Sequence, residues 1–326
     1  VVDRRRSAPS REFGVADVVD VISRVRAAIE SVIEGKREAI DIALVVLLAE
    51  GHLLVEDVPG VGKTMLAKAI GRSIDCSVRR LQFTPDLLPS DITGVSIYNQ
   101  ERRDFEFKPG GIFANIVVGD EINRASPKTQ SALLESMEER QVSVDGLTYE
   151  LELPFMVVAT QNPIEMEGTY PLPEAQRDRF TARIQMGYPT KAAEMDMLEH
   201  HGSADPLGQL QPVTDADTVQ GLIHAVKQVY VSQAVKDYII TVTTATRNTP
   251  DLRLGASPRS SLQLLRASRA YAAMAGRDYV TPDDIAALAG SVLSHRVLPS
   301  TDAQLARHSV VDIVDALVRS VPVPDK

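Results

Sequence analysis

The chain has 326 residues, 44% of them hydrophobic and 24% charged, which excludes a wholly disordered protein and provides enough length for two domains. Its net charge of −9 and aromatic content of 5% argue against a general nucleic-acid binder, which needs a basic face. The single cysteine, Cys76, excludes an internal disulfide, and the longest apolar run, residues 42–49, is too short to span a bilayer.

The first residues of the chain carry no periodic pattern. Residues 1–14 mix Arg, Ser, Pro and Gly, and we predict a mobile arm there. No apolar segment follows the arginines at 4–6 as a signal peptide would require, so we expect a cytoplasmic protein. Apolar residues then recur every three or four positions over residues 15–33, which predicts an amphipathic helix, and a second helix is predicted over residues 36–50.

Short apolar runs and helical stretches alternate through the next part of the chain. The alternation predicts an α/β fold with a mostly parallel sheet covered by helices on both faces. The predicted strands are residues 52–56, 78–83, 116–120, 155–160 and 182–186.

Two hairpins interrupt this alternation. Residues 142–144 and 148–152 are predicted to pair across Asp145–Gly146, a dipeptide that suits the positive φ angles of a tight turn. A weaker hairpin signal covers about residues 97–107, across a polar segment. Both hairpins are expected as insertions in the α/β domain.

After residue 188 the strand signals fade and helices follow. The predicted helix starts are Thr214, Ser232, Ser257–Pro258 and Thr281–Pro282, where a hydroxyl can cap the first N–H groups. We therefore predict an α/β domain over residues 15–188 and an all-helical domain over residues 189–326.

A glycine-rich segment joins the first predicted strand to the next helix. Backbone N–H groups of such a loop surround phosphates, while Lys63 adds a charge at the β and γ oxygens and the Thr64 hydroxyl ligates Mg²⁺. The residues predicted to bind the nucleotide are Asp57, Val58, Pro59, Gly60, Val61, Gly62, Lys63, Thr64 and Met65. A turn without a ligand is disfavoured because strand, glycine loop, Gly-Lys-Thr and helix occur together.

The phosphate loop departs from the usual pattern G-x-x-x-x-G-K-[ST] at one position. Asp57 replaces its first glycine. The carboxylate of Asp57 would repel a phosphate unless it points away from the loop.

The apolar strand at residues 116–120 ends in adjacent carboxylates. Asp120 and Glu121 are costly to place there unless a cation lies nearby, and bound Mg²⁺ would supply one. We predict that Asp120 holds the ion, directly or through water, and that Glu121 orients and deprotonates the attacking water. Such a pair alone is more often a solvated strand end or a helix cap, but with Gly62, Lys63 and Thr64 it becomes a specific signal.

Three further residues complete the predicted hydrolysis site. Asn162 follows a strand, where it would hold the attacking water or touch the γ-phosphate, unless it is only a turn residue. Arg179 would reach a nucleotide on a neighbouring subunit or form a surface ion pair with Asp178 or Glu174. Arg259 begins a helix of the second domain and would contact the γ-phosphate if that domain folds over the site, coupling domain closure to nucleotide state.

These residues occur in the order expected of AAA+ ATPases, and the connecting segments resemble the MoxR family. The resemblance covers roughly residues 15–297 and implies a parallel-sheet P-loop NTPase domain with inserted hairpins, a helical lid, and assembly into a ring expected to have six subunits. The segments that carry it are FTPDLLPSDITG (83–94), DEINRA (120–125), ATQNPIE (159–165), LPEAQRDRF (172–180) and GASPR (255–259).

The resemblance also assigns roles and cofactors. It implies ATP and Mg²⁺ as cofactors, and the roles are Walker B aspartate for Asp120, catalytic glutamate for Glu121, sensor 1 for Asn162, arginine finger for Arg179 and sensor 2 for Arg259. Arg177 stands where an apolar residue is more usual, which leaves the choice between Arg177 and Arg179 as the finger open.

MoxR-like proteins are thought to act as chaperones that use ATP to mature or assemble partner protein complexes, often beside von Willebrand factor A domain proteins. The resemblance therefore implies an ATPase with protein clients, whose hairpins face the ring pore or the partner. A helicase-like DNA motor is an alternative, disfavoured because the hairpin at residues 142–152 carries Asp145, Glu150 and Glu152 and no Lys or Arg. A magnesium-chelatase-type subunit is another alternative, and a non-hydrolysing switch is disfavoured by Glu121.

Overall fold

A five-stranded parallel sheet organises the first half of the chain in the computed structural model, which describes residues 12–58, 60–162, 168–189, 191, 194–195 and 206–324. The strands are β1 (Leu53–Glu56), β2 (Val78–Gln82), β3 (Gly94–Asn99), β4 (Asp104–Pro109), β5 (Ile116–Asp120), β6 (Gln141–Val144), β7 (Leu147–Glu150), β8 (Met156–Gln161), β9 (Ala182–Ile184), β10 (Leu252–Leu254) and β11 (Leu298–Pro299). The sheet order is β2-β5-β8-β1-β9, with every neighbouring pair parallel. The predicted α/β fold is confirmed, and all carboxyl ends of these strands lie at one edge.

Helices cover both faces of the sheet and build most of the second half. They are α1 (Val15–Glu30), α2 (Arg37–Leu48), α3 (Lys63–Ser73), α4 (Pro89–Thr93), α5 (Pro127–Glu139), α6 (Glu174–Arg177), α7 (Pro206–Gln209), α8 (Ala216–Lys227), α9 (Gln233–Ala245), α10 (Pro258–Met274), α11 (Pro282–Leu293), α12 (Thr301–Leu305) and α13 (Val310–Ser320). In the part of the chain that the structure describes, none is long and apolar enough to cross a lipid bilayer.

The helix starts in the second half follow the predicted caps, with one exception. Ser232 and Ser257 each accept a hydrogen bond from a backbone N–H of the first turn, and Thr281 is the cap before α11. The prediction of Thr214 as a cap was wrong by one residue. The Asp215 carboxylate caps α8 by accepting from the Thr218 amide at 2.7 Å, as aspartate at an N-cap position does.

The two faces of the sheet pack into different apolar clusters. Leu53 and Val55 face a cluster that also contains residues of α1, α2 and the helical domain, whereas Leu54 between them faces α5. This alternation is the two-residue period of a strand buried on both faces. The helical domain thus shares a continuous core with one side of the α/β domain, and Phe13, within the segment predicted as a mobile arm, packs against Gly221 of α8.

Both predicted hairpins are present. The first pairs β3 with β4, and the second pairs β6 with β7 across Asp145 and Gly146, which have φ angles of 51° and 78°. The ring of Phe107 stacks on that of Tyr149 at 3.8 Å between centroids, which joins the two hairpins. The helical domain contains in addition a short antiparallel pair, β10 with β11, which the prediction of an all-helical domain did not include.

A buried histidine lies at the amino end of β1. The Nε2–H of His52 donates to the Met137 carbonyl at 3.1 Å, and its Nδ1 accepts from the Val157 amide at 3.0 Å. Burial, with a smaller contribution from the charge of Arg140, lowers the pKa of His52 to about 4. A proton on Nδ1 would point at the Val157 N–H, which now donates to this atom. The His52 ring is therefore neutral in the folded protein.

We expect this histidine to make the protein less stable in mild acid. The unfolded chain takes up a proton near pH 6.5 while folded His52 does not until about pH 4, so stability is full above pH 6.5 and falls between those values. The free energy of unfolding should fall by about 2 kcal/mol from pH 8 to pH 5 on account of this residue. Urea unfolding across that range measures it. His52→Gln should reduce the slope of this part of the profile, and buried His295, whose pKa burial also lowers, should account for part of the slope that remains. His224→Gln, at an exposed position on α8, is the comparison variant.

Candidate nucleotide site

The loop between β1 and α3 adopts the conformation that its glycines permit. Gly60 and Gly62 have φ angles of +86° and +89°, which side chains disfavour, and a Cβ added to either would meet nothing within 4 Å. Backbone conformation, not lack of space, therefore requires glycine at both positions. The loop ends at Lys63 and Thr64 on the first turn of α3, where helix N–H groups favour an anion. Pro59 lies outside the described residues.

Asp57 turns its carboxylate away from the loop. One oxygen accepts from the Val58 amide at 2.8 Å, and the other accepts from the amide of Gly187, in the connection to the helical domain. The Lys63 ammonium donates to the Asp57 carbonyl at 2.7 Å. The unusual aspartate therefore ties the phosphate loop to the connection between the domains, and its charge is not directed at a phosphate in the loop.

Asp120 lies at the carboxyl end of β5 and is nearly buried. Its oxygens accept from the Thr160 hydroxyl at 2.6 Å and from Arg80 Nε at 3.0 Å. Burial favours a raised pKa for Asp120, but the hydrogen bonds from Thr160 and Arg80 and the charges of Arg80 and Lys63 together hold the pKa below its ordinary value. The carboxylate is thus ionised at neutral pH and suited to a hard cation. With the Thr64 hydroxyl it would provide the oxygen ligands that Mg²⁺ prefers.

Glu121 follows in a strained conformation. Its φ of 55° is rare for a residue with a side chain, and its amide donates to the Thr160 hydroxyl at 3.0 Å. The carboxylate pairs with Arg124 at 3.0 Å and accepts from Gln82 at 3.3 Å. Gln82 in turn accepts from Arg80 at 2.6 Å. One polar network therefore holds both acids, and the turn projects Glu121 from the end of its strand.

Four of the predicted site residues lie at the carboxyl ends of three neighbouring strands. Lys63 follows β1, Asp120 ends β5 and is followed by Glu121, and Asn162 comes directly after β8, which lies between those two strands. Asn162 is buried, with 5% of its surface exposed. Because the strands are parallel, these groups lie together at the carboxyl edge of the sheet, where open α/β sheets bind ligands.

Arg179 and Arg259 lie together at another place, on either side of Glu138. Arg179 Nε is 3.0 Å from one oxygen of the Glu138 carboxylate, and Arg259 contacts the other oxygen. All three side chains line a cavity of about 260 Å³, together with Glu50 and His52. Of the two alternatives for Arg179, this structure shows an ion pair, but its partner is Glu138 and not Asp178 or Glu174.

This cavity lies at the amino edge of the sheet, opposite the phosphate loop. His52 immediately precedes β1, whereas the loop follows it, and Arg179 precedes β9 in the same way. In this structure Arg259 therefore lies away from the phosphate loop of its own chain, contrary to the expectation that it contacts the γ-phosphate there. The reason lies in the packing of α10, which contacts α1 and α2 and so carries its first turn to the amino edge.

A second polar contact fixes the helical domain at that edge. The Asp178 carboxylate accepts from the Ser257 hydroxyl at 2.8 Å and from Arg296 at 2.6 Å. Arg296 is almost fully buried, and burial lowers its pKa to about 10 even though Asp178 opposes the shift. Arg177 pairs with Glu174 of its own helix at 3.9 Å. No local sequence pattern indicates Glu138, Arg80 or Arg296, because their partners are distant in the chain.

Comparisons with known proteins agree with this architecture. Residues 52–182 match the model of the ATPase family associated with various cellular activities (AAA), and residues 244–317 match the AAA lid domain. The chain is 48% identical to the uncharacterized protein YeaC of Bacillus subtilis, covering 94% of this chain and 96% of that protein. It is 39% identical to Chaperone MoxR1 of Mycobacterium tuberculosis, covering 97% and 86% respectively.

Two further proteins extend the similarity. Protein MoxR of Methylorubrum extorquens is 30% identical, over 95% of this chain and 97% of that protein. A solved structure of a candidate ATPase from Cytophaga hutchinsonii is 36% identical and superposes with a TM-score of 0.88, covering 95% and 97% of the two chains. The similarity therefore includes both domains.

Proposed function

Because the chain belongs to the MoxR family of AAA+ ATPases, we propose that it binds ATP with Mg²⁺ at the carboxyl edge of its sheet and hydrolyses it. The observation that carries the proposal is the convergence of a phosphate loop, an ionised Asp120, a strained Glu121 and a buried Asn162 at the ends of three neighbouring strands. These are the groups that phosphoryl transfer to water requires.

Each residue has a defined task in this proposal. The loop residues 57–65 surround the phosphates, the backbone N–H groups that follow Pro59 donate to them, and Lys63 exchanges the Asp57 carbonyl for phosphate oxygens. Thr64 and Asp120 would hold Mg²⁺, which neutralises charge on the β and γ oxygens. Glu121 takes the proton from the attacking water, and Asn162 orients that water.

We propose further that Arg179 and Arg259 act on the nucleotide of a neighbouring subunit in a ring, expected to have six members. Both lie at the edge opposite their own phosphate loop, in a cavity that opens beside Glu138. Guanidinium groups stabilise the charge of a phosphoryl transition state when a neighbour supplies them. Arg179 is favoured over Arg177 as the finger because Arg259 lies beside it.

The proposed use of this activity is remodelling, maturation or assembly of protein complexes in the cytoplasm. The name Chaperone MoxR1 of one relative supports it, and so do the exposed aromatic rings of the β3–β4 hairpin, where Tyr98 and Phe105 are 51% and 69% exposed. A von Willebrand factor A domain protein is the proposed partner. Addition of DNA should leave the ATPase rate unchanged, and stimulation by DNA would favour a helicase-like motor instead.

Substitution of Lys63 tests the proposed nucleotide site. Lys63→Ala should weaken ATP binding by about 10- to 100-fold, the size of a charge-assisted hydrogen bond, and should lower turnover at limiting ATP. Lys68→Ala removes an exposed lysine one turn further along α3 and serves as the matched control. Binding of a fluorescent ATP analogue and phosphate release measure both effects. Equal affinity in the two variants would contradict a nucleotide site at this loop.

A further inference from the structure

Among the residues described, Glu138 is the one side chain that joins Arg179 and Arg259, two of the four arginines that line the cavity at the amino edge. It lies on the last turn of α5, and its two oxygens contact arginines that belong to different domains, Arg179 before β9 and Arg259 on α10. The three side chains are each between 29% and 38% exposed. A single carboxylate thus sets the distance between the two cations.

The other carboxylate of the cavity is engaged elsewhere. Glu50 pairs with Arg140 at 2.9 Å and also contacts Lys227. Burial tends to raise the pKa of Glu50, but these two cations outweigh that tendency and hold it below the ordinary value. Glu138 is therefore the acid that offsets the repulsion between Arg179 and Arg259.

The geometry of the contacts leaves both arginines able to bind another anion. Arg179 uses Nε, so the bond to Glu138 does not occupy its two terminal nitrogens, and Arg259 uses only one terminal nitrogen. A guanidinium presents five N–H donors in a rigid fork. A carboxylate bound at one nitrogen restricts the orientation of the guanidinium and leaves its other donors for a second anion.

We propose that Glu138 is a positioning residue that holds Arg179 and Arg259 side by side, so that a second copy of this chain can seat its nucleotide phosphates between them. This inference rests on the proposed action of both arginines across a subunit interface. Glu138 does not touch the nucleotide: it aligns the two arginines and links the finger to the helical domain.

The test compares Glu138→Gln with Glu139→Gln, which alters the exposed neighbour on the same turn. The amide keeps an acceptor but loses the charge that both arginines share, so kcat should fall by about tenfold or more. KM for ATP should change little, because the phosphate loop at the opposite edge is intact. Trapping of ADP with aluminium fluoride, which resembles the transition state, should weaken in parallel with kcat, whereas Glu139→Gln should match the wild type in both measurements.

Two further measurements distinguish a failure of the positioning role of Glu138 from a failure of the proposed action of the arginines across the interface. Thermal unfolding and the size of the assembled particle should be alike in both glutamate variants, and a loss of assembly in Glu138→Gln alone would overturn a positioning role. Arg179→Ala is measured beside them. If it lowers kcat and Glu138→Gln does not, the inference about Glu138 fails while the proposed function stands. If Arg179→Ala has no effect, the proposed action across the interface fails instead.

Discussion

Glu121→Gln should lower ATP turnover by about 10²- to 10⁴-fold, the range that a positioned general base contributes, while ATP still binds. The amide cannot accept a proton from water, but its oxygen can still accept hydrogen bonds from Arg124 and Gln82, the present partners of the carboxylate. The geometry of the site is therefore expected to survive the change. Such a variant should accumulate in its ATP-bound form.

Single-turnover measurements distinguish this outcome from loss of binding. Radiolabelled ATP should remain bound to Glu121→Gln for much longer than to the wild type, with an unchanged dissociation constant. Glu135→Gln, on the exposed side of α5, is the matched control and should hydrolyse ATP at the wild-type rate. If Glu121→Gln also hydrolyses ATP at the wild-type rate, hydrolysis does not depend on this carboxylate, and the proposal that Glu121 is the general base of an ATPase fails.

The ATP-bound variant also tests the proposed remodelling of protein complexes. A protein that binds the assembled particle only with ATP, and is released when wild-type protein hydrolyses it, would support remodelling. Pull-down with Glu121→Gln in the presence and absence of ATP measures this dependence. Recovery of the same proteins in both conditions would contradict an ATP-coupled client.

The features predicted correctly from sequence are those formed by neighbouring residues. The strand, glycine turn and helix at residues 53–73 form one continuous segment, the strand at residues 116–120 is a single apolar run, and the Asp145–Gly146 turn is local. Residue types within a few positions are enough to specify such features. The pairing of Arg259 with Glu138 joins positions 121 residues apart, and no local pattern reports it. The position of Arg259 depends on how α10 packs, which is a property of the tertiary structure.

The predicted catalytic groups already have partners within the chain. Each is held by its own chain in this structure: Lys63 by the Asp57 carbonyl and Asp120 by Arg80. Arg80 places a positive charge beside Asp120, the residue that is proposed to hold Mg²⁺. Binding of Mg²⁺ and ATP would therefore exchange existing contacts for new ones, since Arg80 and Thr160 occupy both carboxylate oxygens of Asp120. Sequence patterns predict catalytic groups but not the side chains that hold those groups in this structure.

Arg179→Ala should lower turnover by about 10³- to 10⁵-fold, the contribution of an arginine finger, and the loss should be partly restored by mixing with another inactive variant. A subunit with Arg179→Ala has an intact phosphate loop but offers no finger. A subunit with Lys63→Ala offers the finger but binds ATP poorly. Where the two adjoin in a ring, Lys63 of one and Arg179 of the other complete a site. Phosphate release from the mixture should exceed the sum of the separate rates at limiting ATP.

The same experiment decides which arginines act across the interface. Arg259→Ala should be restored by Lys63→Ala in the same way, because Arg259 and Arg179 share Glu138 at the edge opposite their own loop. Arg177→Ala should retain most activity alone, since Arg177 pairs with Glu174 on its own helix. If mixed particles form and Arg179→Ala recovers nothing, Arg179 does not complete a neighbour's site, and the finger must be sought at Arg177. Recovery for Arg179 but not for Arg259 would require the helical domain to move Arg259 toward its own phosphate loop when ATP binds.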